Sequence, residues 1–109
     1  MSQSREEVLK LLRELRGHLA AVYGGRLKGV YLYGSYARDE ADEDSDIDVA
    51  VVLEAPVDRA QERRRVSDVA SELSLRENCV LTLFFLSEAE LQQAPYAVHR
   101  SIAREGVRI

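Results

Sequence analysis

The sequence predicts an α/β (α+β) domain in which a small mixed β-sheet is flanked by helices. Two apolar segments with the length and composition of strands, 29–33 and 47–53, lie close together in the first half of the chain. Segments whose apolar residues recur three or four apart, as in amphipathic helices, come before and after this pair. A third strand-like segment, 79–86, follows the second of these helices. This order of elements favours a sheet with helices packed against it.

The first helix is predicted by its start, its periodicity and its stop. Ser4 with Glu7 has the spacing of a capping box. Gly24-Gly25 ends the helix, because glycine readily adopts the left-handed conformation found at helix ends. The apolar residues between them recur at spacings of four and three: Val8, Leu12, Leu15, Leu19 and Val22.

The two strands and the helix that follows them form the centre of the prediction. Segment 29–33 is rich in valine and tyrosine, and segment 47–53 is apolar on both faces, as in a covered central strand. Pro56 and Asp58 then open a second long helix. Its buried stripe is predicted to consist of Val66, Val69, Ala70 and Leu73.

The last third of the chain predicts one strand and two helices. Segment 79–86, "CVLTLFFL", is predicted to be a third strand. Ser87 with Glu90 caps a short third helix, and "PYAVHRSIAREGVRI" supplies a fourth with Gly106 as its stop.

Composition narrows the class of protein. The length of 109 residues predicts a single domain, 1–109, and 46% hydrophobic with 31% charged residues excludes disordered and fibrous chains. No apolar run is long enough to span a membrane, and the start of the chain is too polar for a signal peptide. One cysteine excludes an internal disulfide framework, so we expect a cytoplasmic protein. The net charge of −4 argues against direct binding of nucleic acid.

Carboxylates at the start of the second strand are the first candidate site. Seven acids lie within residues 39–48, and the last two are Asp46 and Asp48. Because side chains alternate along a strand, these two point the same way and repel each other unless a cation lies between them. Oxygen ligands on a rigid strand suit Mg²⁺ (or Mn²⁺), which shares its shell with substrate phosphates. The other five acids are expected on a solvated loop.

The end of the first strand supplies the second half of the site. Gly34 lets the backbone approach a ligand closely, and Ser35 is predicted to enter a helical turn, 35–39, whose free N–H groups favour phosphate. Arg38 lies one turn further on and can reach the same anion. An anion cradle and metal carboxylates on adjacent strands together predict a site for Mg²⁺ and a nucleoside triphosphate.

Each candidate motif also has a structural interpretation. In the structural interpretation, the "DSDID" run is no more than a solvated acidic turn. A calcium-binding loop is excluded because no glycine or glutamate lies at the required positions. The arginine run 63–65, with Arg59 one turn earlier, is more often a solvated helix face than a partner surface. Tyr36 can lie near a nucleotide or simply pack in the core. We interpret both histidines as structural, and the cysteine as a small buried residue: His18, His99 and Cys79.

The paired motif "GSYAR…SDIDVAVVL" resembles the signature of the DNA polymerase beta-like nucleotidyltransferases. The short chain and its terminal "REGVRI" are similar to the minimal nucleotidyltransferase (MNT) proteins of bacteria and archaea. Those proteins are often encoded beside a helical HEPN partner as toxin–antitoxin pairs. The resemblance covers nearly the whole chain and implies a nucleotidyltransferase fold.

The resemblance also implies roles for particular residues. Gly34 and Ser35 would hold the triphosphate of ATP or another nucleoside triphosphate, and Asp46 and Asp48 would hold two Mg²⁺ ions. Arg38 is expected, from its position one turn after Ser35, to neutralise charge. The implied reaction transfers a nucleoside monophosphate, AMP from ATP, to a hydroxyl of a partner protein or other macromolecule. The implied biological role is that of the antitoxin of a HEPN/MNT pair, in a homo- or hetero-oligomer.

One departure from the family pattern leaves two hypotheses open. Active members carry a third carboxylate in the strand that corresponds to 79–86, where this chain offers only Thr82. The first hypothesis is an active Mg²⁺-dependent transferase. The alternative is a catalytically weakened nucleotide-binding module that neutralises a HEPN-type partner by direct binding.

Overall fold

The computed structural model describes residues 3–109 of the chain. Its helices and strands are α1 (Arg5–Tyr23), β1 (Leu27–Tyr33), β2 (Ile47–Leu53), α2 (Arg59–Arg76), β3 (Leu81–Ser87), α3 (Glu88–Gln93), α4 (Ala97–Glu105) and β4 (Val107–Arg108). A short 3₁₀ turn, Gly24–Arg26, joins α1 to β1. Within the described residues, no helix is both long and apolar enough to cross a membrane.

The four strands form one mixed sheet in the order β3-β2-β1-β4. β1 is antiparallel to both β2 and β4, and β2 is parallel to β3. The parallel pair requires a crossover connection, and α2 supplies it. This architecture confirms the predicted fold class, a small mixed sheet flanked by helices.

Helices cover both faces of the sheet. On the α1/α2 face, fully buried residues of β2 such as Ile47 and Val49 pack with the apolar stripe of α1. On the α3/α4 face, Ala50 and Val52 pack with Ile102 of α4. Because side chains alternate along β2, Asp48 shares the α3/α4 face with Ala50 and Val52. The candidate site therefore lies on that face, at the amino-terminal end of β2.

Both predicted capping boxes are present. The Glu7 N–H donates to Ser4 Oγ at 3.1 Å, and the Ser4 N–H donates to Glu7 Oε1 at 3.2 Å. The same reciprocal pair joins Ser87 and Glu90, at 3.2 and 3.1 Å. These bonds satisfy backbone donors that a helix start otherwise leaves free.

Several predicted boundaries are wrong by about two residues, and one strand was missed. β1 begins at Leu27, β3 begins at Leu81, and a two-residue strand, β4, follows the predicted stop at Gly106. β4 is too short to show a periodicity, and only its pairing with β1 defines it. Val22, the last of the apolar residues that predicted the first helix, is 46% exposed, and Tyr23, at 6%, is the core residue at that end of α1.

Candidate functional site

The antiparallel pairing of β1 with β2 brings the two halves of the predicted site together. Tyr33, the last residue of β1, is the partner of Asp48. The next residue, Gly34, therefore begins its turn beside the Asp48 side chain. Ile47, between the two aspartates, is fully buried, and its N–H donates to the Val80 carbonyl at 2.8 Å. The aspartates are thus fixed on a rigid strand, with Asp46 exposed and Asp48 half-buried.

Gly34 is in close contact with the Asp48 carboxyl group. Its φ of 76° lies in the left-handed region, which favours glycine. A Cβ atom at this position would lie 3.1 Å from Asp48 Cγ and 3.2 Å from Asp48 Cβ, and closer still to Oδ2. The carboxylate therefore occupies the space that a side chain at position 34 would fill.

The turn after Gly34 presents backbone donors next to this carboxylate. The Gly34 carbonyl accepts from the N–H groups of Ala37 and Arg38, both at 3.1 Å. The bond from the Arg38 N–H spans four residues, as in one turn of an α-helix, so the helical turn predicted at 35–39 is present, and it does not continue into a longer helix. Within residues 3–109, the N–H groups of Ser35 and Tyr36 have no hydrogen-bond acceptor. Free N–H groups in such a turn can bind an anion.

The charge of the aspartate pair is not balanced by the protein. Burial, and then the negative charge of Asp46, raise the pKa of Asp48, and Arg38 partly opposes them. In the part of the chain that the structure describes, neither aspartate side chain has a hydrogen bond or an ion pair. Two carboxylates held together without a cation of their own have the donor set that Mg²⁺ or Mn²⁺ prefers. The residues therefore fit a divalent metal.

Arg38 lies near the site but is paired with other carboxylates. Its guanidinium bonds Glu40 at 3.1 Å and Glu105, in the last turn of α4, at 2.9 Å. Both ion pairs raise the pKa of Arg38. Because ion pairs at an exposed surface are weak, an incoming phosphate can compete for this side chain. Phosphate binding by Arg38 stays a prediction.

Thr82 and Tyr33 flank Asp48 on the neighbouring strands. Thr82 of β3 is the parallel partner of Asp48, so both side chains lie on the α3/α4 face, and Thr82 is exposed. On the other side, burial and the charge of Asp48 raise the pKa of Tyr33 to about 12. Among residues 3–109, no group of three or more His, Cys, Asp or Glu residues is placed to hold a metal. Sequence reasoning missed Tyr33, although its position next to Gly34 was a signal.

The remaining candidate residues divide between loop, cleft and core. The five outer acids are exposed, as predicted: Asp39, Glu40, Asp42, Glu43 and Asp44. A cleft of about 390 Å³ opens beside Asp46, a volume typical of small-molecule sites, and half-buried Cys79 lies in its wall. Tyr36 packs in the core, accepts a hydrogen bond from the Gln3 N–H at 3.3 Å, and also lines this cleft. His99 is buried, whereas His18 is exposed.

A helix-covered mixed sheet with a Gly-Ser turn beside two aspartates agrees with the nucleotidyltransferase fold and site that the resemblance implies. The model of the nucleotidyltransferase domain family matches residues 6–105, and the chain therefore belongs to that family. The chain is 32% identical over 98 residues to "Putative protein adenylyltransferase MJ0604" of Methanocaldococcus jannaschii, covering 89% of this chain and 92% of that protein.

Solved structures share the fold at lower sequence identity. The crystal structure of a "putative nucleotidyltransferase from Sulfolobus solfataricus" matches with a TM-score of 0.70 at 22% identity, over 96% of this chain and 81% of that one. A chain in the structure of tri-AMPylated Shewanella oneidensis HEPN toxin in complex with MNT antitoxin matches with a TM-score of 0.50 at 21% identity. That match covers 96% of this chain and 67% of the other. These structures confirm the fold, and the family model together with the M. jannaschii relative confirms the predicted nucleotidyltransferase family.

Replacing Gly34 by alanine is expected to damage both stability and the site. The left-handed backbone costs a non-glycine residue about 1–2 kcal/mol, and the new methyl group would displace the Asp48 carboxylate. Thermal denaturation should show a lower Tm, and calorimetry should show weaker binding of ATP with Mg²⁺. Gly17→Ala is the matched control, because its Cβ meets nothing within 4 Å and alanine favours a helix. A Gly34→Ala protein as stable as the parent would contradict the contact.

Replacing Asp48 by asparagine is expected to stabilise the metal-free protein near pH 7. Because folding raises the pKa of Asp48, this group favours folding at low pH, and the contribution is lost as the pH rises through the raised value. In EDTA, the Tm gain of Asp48→Asn should shrink as the pH falls towards 3.8, the ordinary value. Exposed Asp44→Asn should change little at any pH. A large loss of Tm in Asp48→Asn would mean that the carboxylate is structural.

Proposed function

We propose that this chain is a Mg²⁺-dependent adenylyltransferase that moves AMP from ATP to a hydroxyl of a HEPN-type helical partner protein. The observation that carries the proposal is the packing of Gly34 against the Asp48 carboxylate. That packing places free N–H groups of a turn next to an uncompensated pair of aspartates. Donors for phosphate and ligands for a divalent cation are the two requirements for binding a metal–nucleotide complex.

The relatives support the nature of the donor and of the acceptor. The M. jannaschii relative is named as a protein adenylyltransferase, which implies AMP as the transferred group. The S. oneidensis complex contains an AMPylated HEPN toxin bound to an MNT antitoxin. By analogy, the acceptor of this chain is a protein hydroxyl, and the partner is a HEPN-type toxin that the chain neutralises as an antitoxin.

Each site residue has a separate role in the proposed reaction. Asp46 and Asp48 would hold Mg²⁺ or Mn²⁺, which would stabilise the charge that develops on the phosphate oxygens. The turn at Gly34-Ser35 donates N–H groups to the β- and γ-phosphates. Arg38 exchanges its surface carboxylate partners for phosphate and adds positive charge. The chain thus positions the nucleotide and holds it through transfer.

The transfer itself is a displacement at the α-phosphorus of ATP. The acceptor oxygen forms a new bond to phosphorus, the bond from phosphorus to the oxygen bridging to the β-phosphate breaks, and pyrophosphate leaves. The hydroxyl proton passes to water, because the exposed residue beside Asp48 is Thr82, whose hydroxyl cannot act as a general base. The absence of a base on this side predicts slow transfer.

A second function is favoured by Thr82 itself. Asp48 has no carboxylate partner on β3, so the chain can retain nucleotide and metal binding while transfer is lost. In that case it would be a nucleotide-binding module that neutralises its partner by contact alone. The two functions differ in whether the partner becomes covalently modified.

The test is an intact-mass measurement of the partner. The purified chain is incubated with ATP, Mg²⁺ and each member of a panel of HEPN-type proteins. We expect the mass of one AMP to appear on a partner, and Asp46→Asn, at an exposed position, to prevent it without unfolding the protein. Tight binding of a partner without added mass, unchanged in Asp46→Asn, would contradict the enzyme and support the binding module.

A further inference from the structure

The outer edge of β3 lies next to the site and takes no part in the proposed binding of metal and nucleotide. β3 is the first strand in the sheet order, so its outer side has no neighbouring strand within residues 3–109. There Leu81–Leu83 and one face of α2 line a groove of about 320 Å³. An open strand edge offers backbone hydrogen bonds to another chain.

The direction of each backbone group along this edge follows from the pairing with β2. The Val80 carbonyl accepts from the Ile47 N–H, so Val80 and Thr82 direct their backbone groups towards β2. By alternation, Leu81 and Leu83 direct theirs outward. The Leu81 N–H already donates to Ser74 Oγ at 3.4 Å, which leaves the Leu81 carbonyl and both Leu83 groups. Leu83 is 8% exposed and Phe85 is fully buried, so the accessible edge is short.

We propose that an extended segment of the acceptor protein pairs with β3 at Leu81–Leu83 and carries the acceptor hydroxyl opposite Thr82. This inference rests on the transferase function proposed above and adds how the acceptor binds. A residue opposite Thr82 in an added strand projects onto the same face as Thr82, and Asp48 projects onto that face too, because it is the partner of Thr82.

Distances and side-chain size agree with this arrangement. Neighbouring strands lie about 4.8 Å apart, so an added strand would run about 10 Å from the backbone of Asp48. A side chain of the added strand can reach across β3 towards Asp48 if the side chain at position 82 is short. Thr82 is short and exposed, and it leaves the route from the added strand to the aspartates open.

The groove selects an acidic segment and disfavours a second copy of this chain. Arg63 lines the groove and has no ion pair in the described part of the chain, whereas Arg59 is paired with Glu90 and Arg65 with Glu62. Small residues of α2 in the same wall leave room for a partner side chain: Ser67, Ala70 and Ser71. If two copies joined edge to edge, their Arg63 side chains would face each other across the contact. An acidic residue on the acceptor segment would instead pair with Arg63.

The test uses synthetic peptides as acceptors. Each peptide carries one central Ser, Thr or Tyr between randomised residues, and mass spectrometry identifies those that gain AMP from Mg²⁺-ATP. We expect the modified peptides to be enriched in acidic and β-branched residues. In a second set of peptides, one backbone nitrogen is methylated, either at the hydroxyl residue or at a neighbouring residue. At one of these positions, N-methylation should abolish modification, because it removes a hydrogen-bond donor to the β3 edge.

Two charge reversals on neighbouring residues provide the matched control. Arg63→Glu should lower the modification of these peptides about tenfold, whereas Arg64→Glu, exposed on α2 but outside the groove, should stay within about twofold. Circular dichroism and Mg²⁺-ATP binding, unchanged in both variants, show that fold and nucleotide site are intact.

The possible failures are distinguishable. If the parent chain does not bind Mg²⁺-ATP, the proposed function fails and this inference fails with it. If ATP binds but neither a partner protein nor a peptide gains AMP, the proposed transferase function fails. If a partner protein gains AMP but no peptide does, or if modification is indifferent to N-methylation and to Arg63→Glu, the docking of the acceptor on β3 is overturned. In those last cases the nucleotide site still stands.

Discussion

Replacing Thr82 by aspartate is expected to accelerate AMP transfer to the partner by about 10²–10⁴-fold. Thr82 is in register with Asp48 and shares its face of the sheet, so a carboxylate there would be aimed at the acceptor hydroxyl. A positioned general base contributes a rate gain of this size. The measurement is the rate at which the mass of AMP appears on the partner protein under conditions where ATP and Mg²⁺ are saturating.

Thr82→Asn is the control for this gain, because asparagine has nearly the shape of aspartate but cannot accept a proton at neutral pH. We expect it to leave the rate near that of the parent. In EDTA, Thr82→Asp should also lower the Tm, since it adds a third negative charge beside Asp46 and Asp48. Fast transfer by the parent, without a gain in Thr82→Asp, would show that another group serves as the base.

Replacing Asp48 by asparagine is expected to reduce transfer by more than about 10³-fold. Removal of a single preorganised electrostatic group from an active site costs about 10²–10³ in rate, and loss of a metal ligand should cost at least as much. Since the same variant is expected to be stable in EDTA, the loss cannot be attributed to unfolding. The assay is again the mass of the partner, with a long incubation to detect slow transfer.

Asp44→Asn is the matched control for the loss of activity. Asp44 belongs to the same acidic segment and is exposed, and its backbone N–H donates to Asp42 Oδ1 at 2.9 Å, a bond that the substitution leaves intact. We expect its transfer rate to be close to that of the parent. If Asp44→Asn and Asp48→Asn were equally impaired, general negative charge of the loop, and not a metal site at Asp46 and Asp48, would be responsible.

The features that sequence predicted well are those that depend on neighbours in the chain. The composition of a strand is a local property, so the covered central strand predicted at 47–53 is present, and Ile47 and Val49 are fully buried beside the two aspartates. The capping boxes at Ser4 and Ser87 were predicted for the same reason, since each joins residues three apart.

The features that sequence could not predict depend on pairing between distant segments. The contact of Gly34 with Asp48 follows from the antiparallel register, and the position of Thr82 beside Asp48 follows from the parallel one. No local pattern fixes either register, because a shift of one residue would exchange the two faces of a strand. The ion pair of Arg38 joins residues 67 apart, and nothing in "GSYAR" indicates Glu105 as its partner.

The most direct test of the proposed site is the dependence of ATP binding on a divalent cation. Calorimetry would compare the parent chain and Asp48→Asn, each titrated with ATP in Mg²⁺ and in EDTA. If the aspartates bind the metal that joins ATP to the protein, the parent should bind ATP measurably only with Mg²⁺. Asp48→Asn should lose that dependence. Equal affinity of the parent for ATP with Mg²⁺ and with EDTA would contradict a metal–nucleotide site at Asp46 and Asp48.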